Sequence, residues 1–301
     1  MHAAYPNPMQ AWDSSAALAE PTWFGPAPDA APAGGTTMTG PHNPHEFARR
    51  LFAHEALNPS APPTRPDSEP YSLEWFVNIE TQRHSKHGRW IPKLLEFTKH
   101  TGETLLGVGD GLGTDWLQYA RHGAHVVVCS PSTSQLGLIR RNFELRGLKG
   151  RFLHGRVTSL PLESASIDVA CITSLMQGVD EPRALVDEVY RVLKPGGKVL
   201  AVTPARYDVD FWYRTVFFWT RLLGRRRRPA PARQFSGRGL KRLFARFVEH
   251  RIHKRQLRRS EVPHIWRWAP LSLLARLMGR VLVMKAFKPV SAVLPALQAA
   301  A

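Results

Sequence analysis

Cysteine is scarce in this chain of 301 residues: only Cys129 and Cys171 are present. Two thiols cannot form a disulfide framework, and both fall near the ends of apolar runs, so two reduced, buried thiols are expected. No uncharged apolar run reaches the roughly 18 residues of a spanning helix. The N-terminus lacks a basic stretch followed by an apolar segment, so no secretory signal is expected and the cytoplasm is the expected compartment. Acids are also few, 24 Asp and Glu against 41 Lys and Arg, for a formal net charge of +17. The imbalance is local. Between Arg221 and Ser260 stand fifteen Lys or Arg and one acid, Glu249. Such a field attracts phosphate, an anionic bilayer or an acidic ligand, or is simply a solvated face. No metal site is expected.

The apolar fraction, 43%, is that of an ordinary globular protein. It is unevenly spread. Residues 1–67 are rich in Pro, Ala, Gly and Ser, hold no sustained period, and read as disordered linker. Order is expected from residue 68, with a core domain to 208, a completing segment over 209–290 and a tail over 291–301. Leu73, Phe76 and Ile79 share one face of a first helix. A second helix is expected over Ile91–His100. Alternation follows: strands at Glu103–Val108, Ala124–Cys129, Arg151–His154, Ile167–Thr173 and Lys198–Thr203, and helices at Gly113–His122, Ser132–Gly147 and Pro182–Leu193. This pattern predicts an α/β fold, a Rossmann-like doubly wound seven-stranded sheet with helices on both faces. The sheet is mostly parallel with an antiparallel last strand. After Thr203 come an aromatic helix over Asp210–Gly224, a helix over Ser236–Phe247, and strands at Val248–Lys254 and Arg280–Phe287.

The first strand runs into Gly107-Val-Gly-Asp-Gly-Leu-Gly-Thr-Asp115. Glycines here permit a tight turn and close approach of a ligand to the main chain, at the N-terminus of the next helix. A dinucleotide loop needs Gly-x-Gly-x-x-Gly, and that spacing fails: Leu112 and Thr114 stand where the third glycine would be. A phosphorylated ribose near Ser130, Arg140 and Arg141 is disfavoured for the same reason.

The spacing Gly109-x-Gly111-x-Gly113 instead resembles the first motif of the class I, S-adenosylmethionine-dependent methyltransferases. Glu188-Val-Tyr-Arg-Val-Leu-Lys-Pro-Gly-Gly-Lys198 resembles the helix, turn and strand of the small-molecule methyltransferases called the type 11 group. Leu160-Pro-Leu and Ile167-Asp168-Val-Ala are similar to further segments of that group. The resemblance implies S-adenosylmethionine as cofactor. It would lie against Gly107, Gly109, Asp110, Gly111, Gly113, Thr114 and Asp115, then Ser130, Pro131, Arg156, Val157 and Thr173. Three acids of the family pattern are replaced, by Gly107, Ser130 and Arg156. Asp110 and Asp115 remain as sources of negative charge, and Asp115 is equally suited to cap the following helix.

The resemblance further implies methyl transfer to a small-molecule or lipid-like acceptor. The catalytic base is not assigned. The family's frequent His pair falls on Gln177 and Gly178, which leaves His84, His87 and Tyr207 as candidates. Phe211-Trp-Tyr-Arg-Thr-Val-Phe-Phe-Trp-Thr-Arg-Leu-Leu223 packs on the sheet edge or forms an apolar lid that touches anionic membrane with Arg221 and Arg225–Arg228. No recognised RNA module is present, so nucleic acid is not an expected partner. A catalytically degenerate binding protein of the same fold is the alternative reading.

Overall fold

The computed structural model describes residues 69, 71–85, 88–109, 111–173, 180–215, 234–263 and 266–290. The proposed N-terminal linker, Asp110, His87, Gln177, Gly178, most of the aromatic run, Arg221, Arg225–Arg228 and the tail from 291 lie outside them.

Alternation of apolar residues on both faces makes β1, Thr104–Gly109, a central strand. Leu106 and Val108 pack on one side with Val127, Ile172, Val189 and Phe244. Leu105 packs on the other with Val126, Val128, Ile139 and Phe143. β2 (His125–Ser130), β3 (Arg151–His154), β4 (Ile167–Thr173), β5 (Leu193–Pro204), β6 (Val248–Arg255) and β7 (Val281–Phe287) complete a seven-stranded sheet in the order 3-2-1-4-5-7-6. β1 to β5 pair in parallel, and β7 runs antiparallel to both β5 and β6. The chain leaves β1 to one side for β2 and β3 and returns to the other side for β4. That reversal opens a crevice at the carboxyl ends of β1 and β4, the usual ligand position in such sheets. Register puts Gly109 opposite Thr173, and Ser130 ends β2 on the same edge. Cys129 and Cys171 are buried, free thiols, and burial pushes them up to about 11 and about 12, so neither is a nucleophile near neutrality.

The helices are α1 (Leu73–His84), α2 (Ile91–Leu95), α3 (Thr114–Arg121), α4 (Thr133–Glu144), α5 (Pro182–Val192), α6 (Val209–Thr215), α7 (Gly237–Leu243) and α8 (Leu271–Met278). Ser72 caps α1 by accepting from the Trp75 amide at 3.2 Å. The buried stripe of α1 is Trp75, Phe76, Ile79 and Arg83, whereas Leu73, expected inside, is 43% exposed. Aromatic bulk at 75 turns the helix by one position relative to the aliphatic spacing.

Several expected boundaries move: the helices expected to reach Gly147 and Phe247 end at Glu144 and Leu243, and two further shifts have a visible cause. α2 stops at Leu95, one turn short, because Glu96 adopts a left-handed conformation (φ 57°, ψ 42°). Its carboxylate is drawn under the sheet, 2.8 Å from Lys198 of β5, 2.5 Å from Lys285 of β7 and 3.0 Å from Lys99. β5 begins at Leu193, not Lys198, because Ile167 pairs with Leu193 before a shift in register. The Lys194-Pro-Gly-Gly197 stretch is therefore an irregular part of the strand, with Gly196 at φ 78°.

The Glu96 cluster has a pH consequence. Burial alone would raise its carboxyl, but the bonds from Lys198, Lys285 and Lys99 outweigh that and hold it down to about 2. A depressed carboxyl stabilises the fold above its unfolded value, roughly 4.3, and that contribution fades as pH falls toward 2. Unfolding free energy measured by urea titration is expected to fall across this window. In Glu96→Gln the slope should be shallower and stability near neutrality lower.

Candidate functional site

The loop between β1 and α3 is shaped by close contacts. A Cβ on Gly109 would lie 2.0 Å from the Thr173 carbonyl oxygen, so only glycine lets β1 and β4 meet here. Gly113, at φ 71°, is the N-cap of α3 and contributes no side-chain cap. Among the described residues no side chain caps the first-turn amides of α3, which face the crevice end of the sheet. α4 holds the loop from behind. Gln135 donates to the Gly111 carbonyl at 3.3 Å, and Asn142 donates to the Leu112 carbonyl at 2.9 Å.

α1 covers the loop from the front. Trp75, Phe76 and Ile79 pack on Leu112. Arg83 makes a bidentate pair with Asp115, through Nε to Oδ1 at 2.7 Å and a second bond from its terminal nitrogen to Oδ2. His84 Nε2 lies 3.2 Å from Asp115 Oδ1. Asp115 is buried. Desolvation would raise its carboxyl, but the Arg83 charge and hydrogen bond, with His84 behind them, hold it well below the carboxylate range. Asp115 therefore locks α1 to the loop and does not cap α3. The side chain of Glu80 adds a second tie, reaching Gln118 at 2.8 Å, Arg121 at 2.5 Å and Arg146 at 2.9 Å. Arg83, Thr173 and residues 111–116 wall a narrow cleft of about 10 Å³, room for little more than a water molecule.

The three substituted positions differ in their surroundings. At Gly107 the space for a side chain is taken by Trp116: a Cβ there would lie 2.6–2.8 Å from the indole. Trp116 is buried and donates to the Cys171 carbonyl at 3.3 Å. Ser130 is fully buried, with its hydroxyl donating to Gln135 Oε1 at 3.1 Å and accepting from the Ser132 amide at 3.2 Å. It closes the turn into α4 and ties that turn to the glycine loop through Gln135. Arg156 is exposed, beside buried Val157, and Pro131 is exposed. Thr114 and Thr173 are buried at the cleft.

Of the sequence candidates, Gly111, Gly113, Thr114, Asp115 and Thr173 line the cleft; Gly107 lies under Trp116, Gly109 ends β1 against Thr173, Ser130 closes the turn into α4, and Pro131, Arg156 and Val157 follow β2 and β3. Of the candidate bases, His84 reaches the loop through Asp115. Tyr207 lies beyond β5, exposed, with its ring against Phe211. Arg83, Trp116, Gln135 and Asn142 were not singled out from sequence. Only Trp116 had a usable signal there: a glycine in mid-strand implies that something large stands over it. In the described start of the aromatic segment, Trp212 and Tyr213 are half-buried against the cluster around Leu274, with Trp212 donating to the Leu277 carbonyl at 3.3 Å, while Arg214 and Thr215 are exposed.

The main-chain part of this site fits an adenosyl sulfonium. A loop with glycine at its closest approach to β4, a helix N-terminus that no described side chain caps and the nearby Arg83 guanidinium suit the carboxylate end of such a ligand.

Residues 105–201 match the family model described as a methyltransferase domain. A demethylmenaquinone methyltransferase of Clavibacter sepedonicus is 37% identical over 99 residues, covering 33% of this chain and 40% of that protein. The chain spans less than half the length of the curated relatives it matches first. A solved S-adenosylmethionine-dependent methyltransferase from Aquifex aeolicus superposes with a TM-score of 0.50 at 14% identity, over 72% of this chain and 98% of that one. The [4+2]-cyclase SpnF superposes with a TM-score of 0.50 at 22% identity, over 67% and 82%. At these identities the superpositions speak for the fold alone. Residues 105–201 thus match a methyltransferase domain, and that match falls on β1 to β5 of the sheet, with the glycine loop between β1 and α3.

Proposed function

We propose that this chain transfers a methyl group from S-adenosylmethionine to a small, apolar, lipid-like acceptor. The observation that carries the reading is the glycine-capped start of α3 at the β1/β4 reversal, where no described side chain caps the first turn and Arg83 is fixed beside it. Arg83 and the first-turn amides of α3 would hold the carboxylate, Thr173 the ribose side, and Pro131 and Val157 the base. Arg156 can stack on a base but accepts no hydrogen bond. The bound cofactor supplies an electrophilic methyl; the chain's part is to align the acceptor and exclude water. His84, oriented by Asp115, is the candidate to take a proton from an acceptor hydroxyl or ring carbon. The names of the curated relatives make a quinol-type ring the first acceptor to assay. A cytoplasmic enzyme in peripheral contact with anionic membrane suits such an acceptor.

A second reading is favoured by one observation: Trp116 fills the space where the family carries an acid, and Ser130 spends its hydroxyl inside the protein. A binding protein of this fold, without methyl transfer, accommodates both. Isothermal titration with S-adenosylmethionine and S-adenosylhomocysteine separates the two. Saturable one-to-one binding of both is expected. No heat from either, in a protein that melts cooperatively, would sink the methyl-transfer reading.

A further inference from the structure

α8 is apolar on both sides. Leu274, Ala275 and Met278 pack inward on Val209, Leu257 and Val262. Leu273 and Leu277 nonetheless project outward, 59% and 44% exposed, and Trp268 just before the helix is 84% exposed. A surface helix ordinarily turns polar residues to water, and contiguous exposed apolar side chains of this size mark a contact surface. With Trp266 and Arg276, the three border a shallow groove of about 480 Å³.

The loop that presents Trp268 is held in place. Arg259 donates to the Arg267 carbonyl and, at 2.8 Å, to the Ala269 carbonyl. The acids on neighbouring segments, Asp208, Asp210 and Glu261, are all within reach of Arg280. Arg267 and Arg276 are exposed beside the apolar side chains, and the sequence from Val262 to its last residue contains no Asp or Glu. The last acid before it, Glu261, is buried against Arg280 at 3.3 Å. Trp and Leu tips flanked by arginines match the bilayer interface, where indole rings sit at headgroup depth and cations meet anionic lipid. A stable protein partner would take roughly 20–30 residues per side, far more than this patch offers.

Its position in the fold gives the patch a direction. β5 ends at Pro204, which pairs with Val281 at the start of β7; Val281 in turn faces Arg255 at the end of β6. α8 leads directly into β7, so the patch stands on the sheet edge that also carries Gly109 and Thr173.

We propose that Trp268, Leu273 and Leu277, flanked by Arg267 and Arg276, form a docking surface for the interface of an anionic bilayer. The surface turns the crevice edge of the sheet toward the lipid. As a supply route for the acceptor this rests on the methyl-transfer reading; as a lipid-binding surface it stands without it.

The test is flotation of the full chain, with no cofactor or acceptor, on phosphatidylcholine vesicles with and without phosphatidylglycerol. The wild type should float with the anionic vesicles and mostly remain behind with neutral ones. W268S/L273S/L277S should bind the anionic vesicles at least roughly tenfold more weakly. R267Q/R276Q should lose about tenfold on anionic vesicles and little on neutral ones. Arg267 also donates to the Val262 carbonyl at 3.4 Å and the two leucines are about half exposed, so melting temperatures are read for every variant, and a variant that melts well below the wild type is replaced by its single substitutions. Equal flotation of the wild type and the triple serine variant would overturn the proposal. So would a wild-type dimer in gel filtration that the triple variant dissolves, since the face would then be a self-interface. Calorimetry with S-adenosylmethionine on the triple variant tells the two failures apart. Retained cofactor binding with no flotation of the wild type sinks only the surface; flotation without cofactor binding sinks only the enzyme reading.

Discussion

Replacing Asp115 by Asn is expected to destabilise the domain by roughly 3–5 kcal/mol, because it removes the carboxylate that takes two bonds from the buried Arg83 guanidinium. For a domain of this size that is on the order of 10 °C in melting temperature. Arg83→Met should cost a similar amount by stranding the carboxylate. The double variant Arg83→Met/Asp115→Leu should recover most of the loss, since neither charge then stays buried alone. The two single variants also release α1 from the glycine loop, so ligand affinity should fall with stability. His84 does not substitute for Arg83, because it touches only one carboxylate oxygen, at 3.2 Å. Chemical denaturation of all three variants reads the coupling. If the single variants melt like the wild type, the pair is solvated and α1 is not fastened by it. The sign with pH follows from the lowered carboxyl: the pair's contribution is complete above the unfolded value near 3.9 and survives well into acid before it is lost.

Restoring the family's acid by Gly107→Asp is expected to harm the protein. The new Cβ would collide with the Trp116 indole at 2.6–2.8 Å, and the carboxylate would enter a wall of Leu105, Val128 and Cys171 neighbours without a partner. Overpacking alone costs about 1–3 kcal/mol, and an unpaired buried carboxylate adds more. Loss of soluble protein or a large drop in melting temperature is the expected result, with weaker cofactor binding in what remains. Combining it with Trp116→Leu should relieve the collision, so the double variant should be more stable than Gly107→Asp alone. Trp116→Leu by itself should lose roughly 2–4 kcal/mol to the cavity it opens. A Gly107→Asp protein that melts normally and binds S-adenosylmethionine more tightly would show that the indole yields and that the family acid was simply missing.

The strands were legible because each is a short apolar run bounded by turn chemistry, and burial on both faces leaves no other place for such runs. The glycine loop was legible for a related reason: glycines spaced by two between a strand and a helix record a close approach of main chain. Boundaries were less so. Leu95 ends α2 because Glu96 is drawn to lysines 102 and 189 positions further along the chain, on β5 and β7. The face of α1 was misread at Leu73 because the helix is seated by Trp75 and by the Arg83–Asp115 pair, and no local period encodes that partner.

The site divides in the same way. Which positions lack the family's carboxylates is a matter of sequence alone, as are the basic excess and the acid-free stretch after Glu261. What stands in their place was decided by packing at a distance. Trp116 lies nine residues beyond Gly107 yet fills its side-chain space, because a helix turned back over the strand brings the two together. Asp115, suited by its sequence position to cap α3, is instead paired 32 residues back to Arg83. Leu273 and Leu277 have the spacing of core residues, and only the docked orientation of α8 leaves them in water. Local sequence fixes what each segment prefers to be; long-range burial and charge pairing fix which preference is satisfied.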